Sequence, residues 1–419
     1  MNTGFLKLLM SIKIVKALIT LLILTTPLWV HALEMDIQAE FKPDSGKPHH
    51  NVFENTTPPS GYCKDNPSEC QSAGMFSLQA PIQFNSTTAI TPNHTDPRQG
   101  AMFNVPTEWR DLTVRHTHTG EQETVRVRIK GIGSRYKLDD VRALVPDAAT
   151  YLEAHAKLWS AAWVYPPGPC SYSGIGFYGR DIYIFFWKTP TAGVCAKNAR
   201  YPIPWFRYDY LDFAYEIQTP NPLNMSSGTY IGQINYTLGP RADFDLGDIM
   251  QPDDPNLTLV FNLSVLHTLK VEIPPGGNQV QLAPKGGWQQ WLLTGRNVPE
   301  KLYRDQPFLI SASSRFKMQL QCGLTLGDTC GLTNNRSHEV PLDIYVTLPN
   351  GLGREDGSAV NHQPLLLSGV GTDLFQPNHY VDRRQGLLHF EIQKKYISDM
   401  LLQEGKYIGN VVVIWDSEV

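Results

Sequence analysis

The hydrophobic pattern is most informative in residues 405–419, GKYIGNVVVIWDSEV. Tyr407, Val411, Val413 and Trp415 share one face of an extended strand; Ile408, Val412 and Ile414 share the other. This predicts a strand buried on both faces, whose free edge needs cover because a bare apolar edge is an aggregation site. Similar alternation runs through 76–82, 112–118 and 123–131, and Val125, Val127 and Ile129 interleave with Arg126, Arg128 and Lys130. The last run is a half-buried strand with a basic outer face. Residues 181–188 (DIYIFFWK) read as a central strand, and 230–238 (YIGQINYTL) as the last strand of a first domain. A second set opens with Leu257, Leu259, Phe261, Leu263 and Val265, continues through Leu269, Val271 and Ile273, and recurs at 308–322, 340–348 and 387–392. One helix is predicted over 147–161, capped by Asp147, with Tyr151, Ala154, Leu158 and Ala161 on one face. Between the two sets, 247–256 (GDIMQPDDPN) holds two prolines and three aspartates and reads as a linker. The expected fold is all-β, two sandwich domains in tandem over 33–246 and 257–419.

Residues 1–32 change the picture of where the chain works. Lys7, Lys13 and Lys16 precede an apolar run over 17–30, and Val30, His31 and Ala32 form a small-x-small cleavage site, the layout of a secretory signal. The run is short for a bilayer span, which needs about 20 residues, and Pro27 interrupts it. In an exported chain, Cys63, Cys70, Cys170, Cys195, Cys322 and Cys330 read as disulfides. Their order suggests pairing 63 with 70, 170 with 195 and 322 with 330, among the fifteen pairings six cysteines allow. A charged fraction of only 18 %, with 33 glycines and 31 prolines, suits a turn-rich β-protein, and a net charge of −4 gives no reason to expect nucleic acid.

Candidate chemistry is sparse. Gly174, Gly176 and Gly179 satisfy G-x-G-x-x-G but precede a β-run instead of a helix, so they read as a flexible loop and not a dinucleotide site; no cofactor is expected. His116 and His118 are a weak candidate metal pair, with His155 or His50 as a third ligand. No G-x-S-x-G or H-E-x-x-H is present. Sugar recognition calls for flat aromatic faces beside fixed polar groups. Trp205, Arg207 and Tyr208 lie together in a proline-bracketed stretch, while Tyr178, Arg180 and Lys188 lie in the preceding aromatic-rich segment. These six are the receptor-binding candidates, and Arg180 and Lys188 suit an acidic sugar.

The signal, the clipped aromatic-rich first domain and the terminal Y-x-G-x-V-x-V together resemble the two-domain tip adhesins of bacterial chaperone–usher fimbriae, most of all the class 5 type. The resemblance is carried by 228–236 (GTYIGQINY), 257–273, 316–322 and 405–414. It implies an immunoglobulin-like C-terminal pilin domain lacking one strand, which a periplasmic chaperone and then the adjacent pilus subunit supply. It also implies passage through the periplasm and an outer-membrane usher to the fimbrial tip. The groove for the donor strand would lie between Val411, Val413 and Trp415 on one rim and Leu259, Phe261 and Leu263 on the other, with Val419 anchoring the chaperone. The N-terminal domain would bind a host glycan or glycoprotein without turnover. Rival readings are a secreted carbohydrate-active enzyme with a β accessory module, a zinc-dependent adhesin, and a secreted glycoprotein with eight Asn-x-Ser/Thr sequons.

Overall fold

The computed structural model describes residues 33–294, 297–403 and 405–417; the expected signal segment 1–32 and the expected anchor Val419 lie outside the described residues. The alternating runs form two all-β sandwich domains in tandem. The first is built on β1 (Leu33–Phe41), β2 (Arg110–His116), β3 (Gln122–Lys137), β4 (Ser171–Tyr178), β5 (Ile182–Lys188), β6 (Leu211–Gln218), β7 (Gly228–Thr237) and β8 (Asn256–Val265). Strands β3, β2, β7, β8 and β1 lie side by side in that order. Sixteen-residue β3 also pairs β6 through its middle and β5 through its C-terminal half, and β4 hangs on β5 as an edge.

Strand β8 moves the expected domain boundary. It lies parallel to β1, with Leu33 opposite Leu257, and antiparallel to β7. Leu257, Leu259, Phe261, Leu263 and Val265 are at most 1 % exposed and belong to the first core. The expected linker is likewise part of that domain: Met250–Pro252 pairs with Phe84–Ser86, and Ile249 and Met250 are buried. Pro252 and Pro255 mark the turn between two strands of one sheet; Pro255 gives its carbonyl to the Leu238 N–H at 2.8 Å. The chain leaves the first domain at 266–268. There His267 Nε2 contacts the Met225 carbonyl at 2.9 Å and Nδ1 contacts Ser313 Oγ at 3.2 Å.

The second domain comprises β9 (Leu269–Glu272), β10 (Lys301–Ala312), β11 (Lys317–Cys322), β12 (Thr329–Thr333), β13 (Glu339–Thr347), β14 (Val381–Gln393) and β15 (Val411–Asp416). Strands β9, β10, β14, β13 and β12 form one sheet, and β11 with β15 forms a two-stranded second layer. Phe308, Ile310, Phe316, Met318 and Leu320 fill the space between the layers. The Cys322–Cys330 disulfide joins them, and Cys63–Cys70 and Cys170–Cys195 clip the first domain.

The helix expected over 147–161 is shorter, Tyr151–Leu158, because Thr150 Oγ1 accepts the Glu153 N–H at 3.2 Å and caps it there. Asp147 instead accepts from Lys157 Nζ at 3.0 Å. Helices Gly287–Leu293 and Lys394–Leu402 have no counterpart in the sequence reading. Beneath Tyr151–Leu158 lies an aromatic core of Trp159, Trp163, Trp187, Tyr136 and Tyr183. His155 is locked into it: Nδ1 contacts Tyr136 OH at 2.6 Å and Nε2 donates to the Gly179 carbonyl at 2.9 Å, and burial favours the neutral ring.

A small second core caps the outer face of β3. The Tyr62 ring stacks on Phe186 at 4.1 Å, and the face opens for Phe186 because Gly131 and Gly133 carry no Cβ; one added at Gly131 would lie 2.5 Å from its ring. Asp212 is buried here, with Oδ2 accepting the Tyr62 N–H at 2.9 Å. Burial pushes its carboxyl up to about 8, only partly opposed by that hydrogen bond. With the folded value above the unfolded one, its contribution to stability is complete below the ordinary carboxyl range and lost as pH rises through about 8. Asp212→Asn keeps an acceptor for Tyr62 and does not ionise. Thermal melts at about pH 5 and about pH 9 should show the variant losing less stability on the alkaline side than the native chain.

Candidate functional site

The terminal strand β15 pairs on one side only, antiparallel to β11, with Trp415 opposite Met318 and Val413 opposite Leu320. The hydrogen-bond phase follows from its flanks. Gly323 N–H reaches the Asn410 carbonyl at 3.0 Å, whereas Met318 N–H turns away to the Thr372 carbonyl at 2.8 Å. Alternation in an antiparallel pair therefore aims the backbone of Val412 and Ile414 at β11 and that of Val411, Val413 and Trp415 out of the open edge. Among the described residues, no main-chain partner meets those three.

Side chains sort the same way. Val411, Val413 and Trp415 are half-buried against the second core, with the Trp415 ring 4.9 Å from Phe308 and 5.9 Å from Phe316. Val412 is 50 % and Ile414 37 % exposed, so the strand is not buried on both faces as expected. The other rim also differs from the expectation. Leu259, Phe261 and Leu263 lie in the first core and cannot line this edge. Edge strand β9 pairs its Val271 and Glu272 with Ile310 and Leu309, on the same strand as the Phe308 that Trp415 contacts. Leu269 and Val271 are half-buried against the same core.

The receptor-binding candidates divide into two groups. Four gather around the turn after β3. Asp139 Oδ1 accepts from Trp205 Nε1 at 2.8 Å, Asp140 pairs with Arg180 at 3.1 Å, and Tyr178 lies two residues before Arg180 at the end of β4. Arg207 shares Asp209 with Arg135, at 2.7 and 2.6 Å, which leaves that trio with one net positive charge. Lys188 is paired with Gly131, six positions along β3 from the Lys137 end, about 20 Å away, and it contacts Glu69 at 3.2 Å. Tyr208 is 0 % exposed and is a core residue: Arg207–Tyr208 is a short strand wedged between Phe84–Ser86 and β3, which turns Arg207 out and Tyr208 in.

The glycine motif is not a flexible loop; Gly174 and Gly176 lie in edge strand β4, whose register shifts between Tyr172 and Gly176, and Gly179 directly follows it. This strand and its approach display aromatics that the sequence reading did not single out. Tyr165 and Phe177 are both 61 % exposed and Tyr172 is 56 % exposed, and Tyr165 stacks on Tyr172 at 6.0 Å. Strict alternation would put Tyr172 and Phe177 on opposite faces, and the register shift that exposes both is not visible in the spacing. A cleft of about 430 Å³ lies elsewhere, lined by Glu40, Lys42, Asp44 and Glu54 among others.

The histidine pair does not present a metal site. His116 Nδ1 accepts the N–H groups of His118 and Thr119 at 3.2 and 3.0 Å, and Nε2 donates to the Ser227 carbonyl at 3.0 Å. Both ring nitrogens are therefore occupied, as are those of His155. Among the described residues no group of three or more potential ligands is placed to hold a metal ion.

No family model and no curated protein matches the chain. Solved structures do align with it. A chaperone–tip adhesin complex of CFA/I fimbriae aligns at 10 % identity and a TM-score of 0.22, covering 93 % of this chain and 97 % of that one. A point mutant of CfaE, the CFA/I adhesin of enterotoxigenic E. coli, aligns at 9 % and 0.24, covering 93 % and 95 %. A CsuC–CsuE chaperone–tip subunit pre-assembly complex from the archaic Csu pili of Acinetobacter baumannii aligns at 9 % and 0.22, covering 92 % and 98 %. Identity and TM-scores this low carry no residue, ligand or partner over to this chain. Across nearly its whole length, the chain is similar to tip adhesins of chaperone–usher fimbriae.

Proposed function

We propose that the chain is a fimbrial tip adhesin whose second domain is completed by a strand from another polypeptide and whose first domain binds a host-surface glycan. The observation that carries this reading is the open edge of β15. Among the described residues, the backbone units of Val411, Val413 and Trp415 have no main-chain partner, and their half-buried apolar side chains line one rim; edge strand β9 of the facing sheet is assigned to the other. An extended segment with alternating apolar side chains satisfies both sets of groups at once. A periplasmic chaperone supplies it first and the adjacent pilus subunit later, as an outer-membrane usher threads the chain to the tip. The protein acts by binding, without turnover.

The receptor face is the turn after β3, where Tyr178, Arg180, Trp205 and Arg207 put two aromatic faces beside guanidinium groups already held by carboxylates. An acidic sugar would take the place of one carboxylate partner. On a glycan array probed with the donor-completed protein, Arg180→Ala combined with Trp205→Ala is expected to weaken the strongest signal at least about tenfold. Both side chains are exposed, so the melting temperature should stay near the parent's. Unchanged binding in that variant would move the receptor face elsewhere.

A further inference from the structure

Leu33 opens β1, and its backbone nitrogen lies 3.1 Å from Asp254 Oδ2. The other carboxylate oxygen, Oδ1, accepts the Asn256 N–H at 3.0 Å. Among the described residues no Lys, Arg or His side chain pairs with Asp254. The partner strand β8 also starts here, at Asn256, and Pro255 before it has no N–H to extend the ladder. An acidic side chain without a counter-charge therefore sits at the first nitrogen of the first strand. In the sequence, Ala32 immediately precedes that nitrogen and Val30 stands two places before it.

We propose that Asp254 is the docking site for the α-ammonium formed when the expected leader is removed between Ala32 and Leu33. A signal peptidase adds water across the bond. Ala32 departs with the leader as a carboxylate, and the freed Leu33 nitrogen takes up a proton. Before cleavage that nitrogen offers Asp254 a single neutral N–H. Afterwards it offers three N–H groups and a full charge, which turns the contact into a charge-assisted hydrogen bond. Cleavage thereby pins the start of β1 to the turn that leads into β8, the strand it pairs with in parallel.

The pH dependence has a definite sign. The α-ammonium ordinarily titrates near about 8, and a carboxylate neighbour raises that value. The stabilisation is complete below the ordinary value and is lost as pH rises through the raised one. The test uses the donor-completed full-length chain exported in a bacterial host, with its first residue read by N-terminal sequencing and intact mass. Leu33 is the expected first residue. Asp254→Asn, which keeps one acceptor oxygen and puts an NH2 donor in place of the other, should lower the first domain's melting temperature by about 2–4 °C at about pH 6 and by clearly less at about pH 10. A different first residue overturns the cleavage site. An equal loss at both pH values, or none at either, overturns the ammonium contact. Neither result depends on the receptor, because both are read on the soluble donor-completed chain and concern the first domain, whose core holds Trp159, Trp163 and Trp187.

Discussion

Expressed without a partner, the chain is expected to aggregate. With an alternating apolar peptide fused through a flexible turn after its last residue, it is expected to be monomeric and to melt cooperatively. Roughly five apolar donor side chains at about 1.5–3 kcal/mol each bring on the order of 8–15 kcal/mol before ordering costs. A domain is typically stable by about 5–15 kcal/mol, so a term of that size decides whether the second sandwich folds at all. The gain should depend on phase. Slipping the donor by one residue turns its apolar side chains away from Phe308 and toward solvent and should abolish the rescue. Size-exclusion chromatography and calorimetry of the three forms read this directly, and a monomeric, cooperatively melting chain without any donor would remove the need for one.

Phe261→Ala has the second largest expected effect and separates the two possible domain boundaries. Phe261 is 1 % exposed in the middle of β8, between β7 and β1. Truncating it should cost about 3–5 kcal/mol, or roughly 10 °C in the first domain's transition. The second domain's transition and its response to a donor peptide should not move. If residues 257–265 instead belonged to the second sandwich, the same change would spare the first transition and weaken donor binding.

Much of the fold was legible because alternation is a local property. Val411, Val413 and Trp415 could be placed on one face from their spacing alone, and the buried Val125, Val127 and Ile129 likewise. What alternation does not carry is the identity of the partner strand. Leu257 to Val265 read equally well as the first strand of a second sandwich or the central strand of the first, and the neighbouring prolines tipped the reading toward a linker. The deciding pairing, with Leu33–Phe41, joins positions more than two hundred residues apart, and no local signal reports it. The receptor face was legible by composition but not by side: Arg207 and Tyr208 are adjacent, and the two-residue strand they form sends one out and one into the aromatic core. The histidine pair illustrates the same limit, since the backbone N–H groups that occupy His116 Nδ1 come from a turn the spacing does not reveal.

The central claim is that the outward backbone of β15 waits for a strand from another chain, and amide hydrogen exchange at Val411, Val413 and Trp415 tests it most directly. The measurement compares the donor-fused protein with a fusion whose apolar donor positions are replaced by serine, both at low concentration, with Phe261 as an internal reference. The account predicts slow exchange at all three amides with the intact donor and fast exchange with the serine donor, while Phe261 stays slow in both. Equally slow exchange at the three amides with the serine donor would mean that the edge is already closed, and would contradict it.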